Sequence, residues 1–212
     1  MSGVTVHDVS LRFDETIVLD RVNLAVGSGE RVALLGPSGS GKSTLLKVIA
    51  GLLRPDAGRV EIGGRDVTQV PTHRRGVGFV FQDEQLFPHR SVADNIGFGL
   101  KMAGVAKSER RRRSDEWLVR VGLTGFGDRA VTDLSGGEAK RIALARTLIV
   151  QPAVVLLDEP LTGLDRDLHD QLRVEVADLL ESTGTSSITV THDHDDAAAL
   201  GTRTVQLSDL MG

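Results

Sequence analysis

Val32-Ala-Leu-Leu-Gly36-Pro37-Ser38-Gly39-Ser40-Gly41-Lys42-Ser43-Thr44 runs from an apolar stretch through a glycine-rich turn into a segment of helical spacing. It matches the pattern G-x-x-x-x-G-K-[ST] in the strand–loop–helix setting that pattern needs. Glycines 36, 39 and 41 let the backbone curl, so that successive N–H groups point inward at phosphate oxygens. The helix that follows adds the positive end of its dipole. Lys42 supplies a charge for the outer phosphates, and the Ser43 hydroxyl suits Mg²⁺. The stretch therefore implies a nucleoside triphosphate site and, through its strand and helix, an α/β fold.

The rest of the chain is consistent with that start. Its 212 residues suffice for one α/β domain with a small insertion, and are too few for two full domains. Hydrophobic residues make up 40% and charged residues 25%, which excludes a disordered or fibrous chain. The net charge of −4 provides no basic field for nucleic acid or anionic lipid. The absence of cysteine excludes disulfide scaffolds, thiolate zinc sites and thiol catalysis. The longest apolar run is Ala153–Leu157, too short to span a bilayer, and the N-terminus lacks signal-peptide blocks. The reading is a cytoplasmic protein. Its 24 glycines mark places of close backbone approach or positive φ.

Period-2 alternation predicts strands near Val4–Val9, Val22–Val26 and Val60–Ile62. Continuous apolar runs at Arg31–Leu35, Gly78–Phe81, Val154–Leu157 and Ser187–Thr191 predict strands covered on both faces, as in a parallel sheet. Helices are expected at Lys42–Leu52, Ser108–Val121, Glu138–Val150 and Asp165–Leu180. The alternation implies a doubly wound core. The middle of the chain lacks strand runs and reads as a mostly helical insertion.

Val154-Val-Leu-Leu-Asp158-Glu159-Pro160 places two carboxylates at the end of an apolar strand. In a parallel sheet that end shares an edge with the glycine-rich loop. Asp158 then faces the metal beside Ser43, and Glu159 suits proton acceptance from an attacking water. Standing alone, the pair has an acidic helix cap as its alternative reading.

Leu134-Ser135-Gly136-Gly137-Glu138 precedes the helix Ala139-Lys-Arg141-Ile-Ala-Leu-Ala-Arg146. With the loop and the acidic pair, this segment resembles the ATP-binding subunit of ABC transporters over essentially the whole chain. The resemblance implies a P-loop NTPase (RecA-like) core with a parallel sheet, an N-terminal antiparallel β subdomain and an inserted α-helical subdomain. It divides residues 1–212 into a nucleotide-binding core (1–84 and 151–212) and a helical subdomain (85–150) carrying the signature. It implies that Ser135, Gly136 and Gly137, with Glu138 beside them, meet the γ-phosphate of ATP held by the opposite subunit. Ser135 and Glu138 are also spaced as a capping box. Gln82 matches the glutamine that contacts Mg²⁺ and water, His192 the switch histidine, and Asp165 ends the loop that crosses to the other subunit. Phe13 matches the residue stacking on adenine, with an ordinary edge-of-core role as its alternative.

Glu138 departs from the family, which usually has glutamine there. A carboxylate beside the γ-phosphate weakens closure by repulsion unless it turns outward to Lys140 or Arg141. His192 and His194 are two apart with no further ligand set, so they read as no metal site. The basic run at 107–113 lacks interleaved aromatics and reads as a solvated helix face, with no nucleic-acid partner.

The resemblance implies a head-to-tail pair, either a homodimer or a pair with a close paralogue, with one ATP between each loop and the opposite signature. Motion then passes through the Gln82 loop to transmembrane permease subunits on the cytoplasmic face of the membrane. Phe81–Leu100 resembles importers of iron(III), thiamine, polyamine, sulfate or sugar, in the short form lacking a C-terminal regulatory domain. An extracytoplasmic solute-binding protein is the accompanying partner. The alternatives are an exporter or lipid-extraction subunit, or a non-transport ATPase acting on ribosomes or DNA.

Overall fold

The structure, a computed structural model, describes residues 2–212. The apolar runs form β3 (Arg31–Leu35), β6 (Val77–Val80), β7 (Val154–Asp158) and β8 (Ser186–Val190). Every residue of β7 and β8 is buried, as strands covered on both faces must be. With β9 (Arg203–Gln206) they make a parallel five-stranded sheet in the order β6-β7-β8-β3-β9. Because β8 lies between β7 and β3, the loops after these three strands emerge side by side on one edge.

The alternating segments build a second sheet. β1 (Ser2–Phe13) and β2 (Thr16–Gly27) form a hairpin that continues through β4 (Ala57–Ile62) to the short β5 (Arg65–Asp66). The order is β2-β1-β4-β5, all antiparallel. Alternate residues Val22, Leu24 and Val26 turn inward. They pack on α1 (Lys42–Ala50), whose Leu45, Leu46 and Ile49 are fully buried in the same core.

Between β6 and β7 the chain is helical: α2 (Val92–Ile96), α3 (Phe98–Met102), α4 (Lys107–Arg120) and α5 (Gly136–Leu148). A second core joins these helices to α6 (Arg166–Thr183) and α7 (His194–Leu200), through Ile96, Trp117, Leu118, Ile142, Leu172 and Leu200 among others. The basic run on α4 is neutralised locally. Arg112 and Arg113 pair with Glu109, and Arg111 with Asp115 and Asp128. Hydrogen bonds from Arg112 and Arg113 pull the Glu109 carboxyl down to about 2.

The chain differs from expectation mainly at element ends and in short elements. The hairpin strands extend beyond Val4–Val9 and Val22–Val26. The predicted helix at Lys42–Leu52 stops at Ala50, where Gly51 takes the left-handed conformation (φ 78°). The helix predicted from Glu138 begins two residues earlier, at Gly136. Strand β9 and helices α2, α3 and α7 were not expected. No described helix is long and apolar enough to cross a membrane.

Candidate functional site

The glycine-rich loop spans residues 36–41 between β3 and α1. Gly41 has φ 101°, and a Cβ there would lie 2.8 Å from the Val18 carbonyl oxygen of β2. Only glycine meets both demands, so Gly41 allows the loop to tuck under the β-hairpin. Lys42 is buried, and its ammonium donates to the carbonyls of Gly36 (2.7 Å) and Pro37 (2.9 Å). An ammonium has three donors, so one remains for a phosphate oxygen. The Ser40 hydroxyl is buried without a protein partner.

Along the same sheet edge, the Ser43 hydroxyl at the start of α1 donates to Asp158 Oδ1 across 2.6 Å. This joins residues 115 apart in sequence, and Asp158 is only 6% exposed. A hydroxyl and a carboxylate are the hard oxygen donors that Mg²⁺ takes beside phosphate oxygens. Among the described residues no group of three or more histidine, aspartate or glutamate side chains could hold a metal alone.

The next residue, Glu159, has φ 49°, unusual for a residue with a side chain. Two partners hold its carboxylate. His192 Nδ1, in the loop after β8, lies 3.0 and 2.7 Å from its two oxygens, and the Thr162 hydroxyl donates to it at 3.0 Å. Phe13, Val18, Ser38 to Thr44, Gln82 and Glu159 line one cleft of ≈ 400 Å³. Phe13, from the end of β1, is 48% exposed at that cleft, which gives it a free aromatic face. A larger cleft of ≈ 620 Å³ opens between α4, α5 and α6, away from every residue of the phosphate loop.

The signature residues lie elsewhere. Ser135, Gly136, Gly137 and Glu138 do not line the phosphate-loop cleft. Ser135 caps α5, and the capping box is complete. Glu138 Oε2 accepts from the Ser135 N–H at 2.7 Å, and Ser135 Oγ accepts from the Glu138 N–H at 3.4 Å. The Ser135 amide holds the Glu138 carboxyl below its ordinary value. Glu138 thus does not turn to Lys140 or Arg141. Lys140 donates to the Gln82 carbonyl (3.3 Å) and pairs with Glu84, while Arg141 pairs with Glu175 at 2.8 Å. Asp165 caps α6 through the Leu168 N–H at 3.0 Å.

Several residues that shape the site were not singled out from sequence. Thr162 fixes Glu159. Arg146 of α5 donates to the carbonyls of Gln85 (2.8 Å) and Glu84 (2.9 Å), and Lys140 reaches the same segment, so α5 holds the Gln82 loop. Fully buried Asn95 bonds both the amide and the carbonyl of Phe87. The signal available for Lys140 and Arg146 was one of spacing. They are cations six apart on the helix that opens with the signature.

Compared with known proteins, residues 19–162 match the family described as ABC transporter. The chain belongs to the ABC transporter family. Among curated ABC relatives, the "Fe(3+) ions import ATP-binding protein" of Streptomyces avermitilis is 52% identical over 196 residues, 92% of this chain and 57% of that protein. Its counterpart in Streptomyces coelicolor is 50% identical over 208 residues, 98% of this chain and 60% of that protein. The chain therefore spans less than two thirds of the length of these relatives. Among solved ABC structures, an ATP-binding cassette in a dimeric post-hydrolysis state with bound ADP and Pi is 33% identical. It aligns with a TM-score of 0.83, covering 96% of this chain and 93% of that one. CbiO1 of Clostridium perfringens, described as part of an ABC transporter complex, is 30% identical with a TM-score of 0.85, covering 97% of this chain and 84% of that one.

Proposed function

We propose that this chain binds and hydrolyses ATP as the motor subunit of an importer, with two copies closing head to tail around two ATP molecules. The observation that carries the proposal is the held base. Glu159 is fixed by His192 and Thr162 at the rim of the cleft that the phosphate loop lines. A carboxylate fixed there accepts the proton of a water attacking the γ-phosphate. His192, held by Glu159 through Nδ1, has Nε2 left to donate to the developing phosphate charge. The loop amides and Lys42 bind the phosphates, and Phe13 stacks on adenine. When bound, Mg²⁺ neutralises phosphate charge, and Ser43, Asp158 and Gln82 are the residues we assign to hold it. The signature residues Ser135 to Gly137 are left free by this cleft, which supports their serving the ATP of a second copy. The dimeric cassette with ADP and Pi supports the same assembly.

Partners and solute follow from the relatives. Their printed role is import of Fe(3+), so we assign this chain to a ferric-ion uptake system. Transmembrane permease subunits would dock beside the Gln82 loop on the cytoplasmic face, with an extracytoplasmic solute-binding protein delivering the ion. The test is Glu159→Gln. It should lower steady-state hydrolysis by about a hundredfold or more and trap an ATP-bound dimer, seen by light scattering, that ADP does not support. Hydrolysis at the unsubstituted rate by this variant would refute the role given to Glu159.

A further inference from the structure

Adjacent side chains near the start of α6 reach to different partners. Leu168 covers the signature glycine: a Cβ on Gly137 would meet Leu168 Cδ2 at 2.9 Å and Cδ1 at 3.1 Å. The next residue, His169, reaches α7, where its Nε2 lies 3.3 Å from Asp196 Oδ2. One turn on, Arg173 Nη1 stands 3.7 Å from Asp196 Oδ1 while its Nη2 pairs with Asp170 at 2.9 Å. The Asp196 N–H donates to Asp193 Oδ1 at 3.0 Å, within the capping turn that begins directly after His192.

Packing alone does not call for this arrangement. Leu172 of α6 and Leu200 of α7 are both fully buried in the core that α6 and α7 share, and an apolar residue at 196 would add to that contact. Instead Asp196 is 5% exposed, and its Oδ1 accepts no hydrogen bond. A half-satisfied buried carboxylate weakens a fold relative to an apolar side chain of similar size. Burial raises the Asp196 carboxyl above its ordinary value, against the pull of His169 and Arg173 and together with the push of Asp193. Such a group at a joint between two site-bearing helices points to function rather than stability.

We infer that His169, backed by Arg173, is a positioning residue that grips α7 through Asp196 and so sets His192 against Glu159. The route is a continuous set of contacts: signature glycine, Leu168, His169, Asp196, the Asp193 turn, His192. Closure on one ATP at the signature would thereby reach the switch histidine serving the other ATP, coupling the two sites inside one chain. This rests on the two-site reading proposed above.

The experiment compares the unsubstituted chain with His169→Gln and His169→Arg, measuring hydrolysis against ATP concentration at a single pH. His169→Gln should lower kcat about tenfold with KM within about twofold, as expected when a bond outside the ATP contacts is lost. Its Hill coefficient should fall from about 2 toward 1. His169→Arg, which reaches the same carboxylate with a permanent charge, should restore rate and cooperativity. Unchanged kcat and Hill coefficient in His169→Gln would overturn the inference. So would failure of His169→Arg to recover the rate. Absence of hydrolysis in the unsubstituted chain would instead refute the ATPase reading itself.

Discussion

Replacing Glu138 with glutamine sets two electrostatic effects of opposite sign against each other, and the geometry says which assay sees which. In the isolated chain the Glu138 carboxylate accepts from the Ser135 N–H at 2.7 Å at the positive end of α5. Glutamine keeps the acceptor oxygen and loses the charge. The loss of charge assistance and of the helix-dipole term is about 0.5–1 kcal/mol. For a chain of this size that lowers the melting temperature by about 1–4 °C. In the head-to-tail pair proposed above, the same carboxylate would stand within a turn of the opposite ATP's γ-phosphate. Lys140 and Arg141 are engaged with Glu84 and Glu175, so neither pairs with it. At about 8 Å, with an effective dielectric between about 20 and 80, one unit of phosphate charge repels it by about 0.5–2 kcal/mol. Two sites per dimer double this to about 1–4 kcal/mol, so Glu138→Gln should tighten ATP-dependent dimerisation at least about fivefold. Sedimentation in the hydrolysis-blocked Glu159→Gln background reads that constant, while thermal melting without nucleotide reads the cost. A dimer constant changed by less than about twofold would show that the charge does not face the phosphate.

Two further outcomes follow from the same structure. Arg75 is 6% exposed and donates to the carbonyls of Val48, Ile49, Thr68 and Val70, closing the C-terminal end of α1. Arg75→Leu should cost about 3–4 kcal/mol, or about 1–2 M in the urea midpoint, and a drop of under about 0.3 M would refute that account. The second outcome concerns pH. Glu30 is lowered chiefly by its bond from Arg203, Asp66 by Thr68, Glu138 by the Ser135 amide and Asp193 by the Asp196 amide. A carboxyl lowered in the folded state gives stability that is complete above its ordinary pKa of about 4 and is lost as pH falls through the folded value. The urea midpoint should therefore drop steeply below about pH 4, and a midpoint unchanged down to about pH 3 would contradict these assignments.

What sequence revealed and what it hid divides along physical lines. The strand–loop–helix from Val32 to Thr44 was legible because its signals are local: four buried apolar residues, then glycines at turn positions, then an apolar helix face. The turn end of the β1–β2 hairpin was not. Residues beyond Val9 in β1 and before Val22 in β2 include exposed Phe13 and Ile17, and irregular register between Val6 and Val9 and again near Leu11 breaks the period-2 pattern. Strand β9 reads Arg-Thr-Val-Gln and gains its place from pairing with β3 at the sheet edge rather than from its own apolarity. Helices α2 and α3 are five residues each with Gly97 between them, too short to show a period. In the site, residues that share a motif were visible, whereas their supports come from far along the chain. Lys140 holds the carbonyl of Gln82 and Arg146 that of Gln85, 58 and 61 residues apart.

In the two-site reading proposed above, those distant supports link the two half-sites within one domain. Helix α5 begins with the signature and, through Lys140 and Arg146, holds the loop of Gln82, which lines the chain's own ATP cleft. Helix α6 begins at Asp165 and touches Gly137 on one side and α7 on the other. Helix α5 thus reaches the Gln82 segment, and helix α6 reaches α7, whose capping turn follows His192. The two routes differ in kind. Lys140 and Arg146 reach backbone carbonyls, which carry no titratable group, while the α6 route runs through a histidine and a buried carboxylate. Loss of cooperativity in His169→Gln therefore reads the contribution of α6 to coupling, because that substitution leaves the bonds of α5 to the Gln82 segment in place.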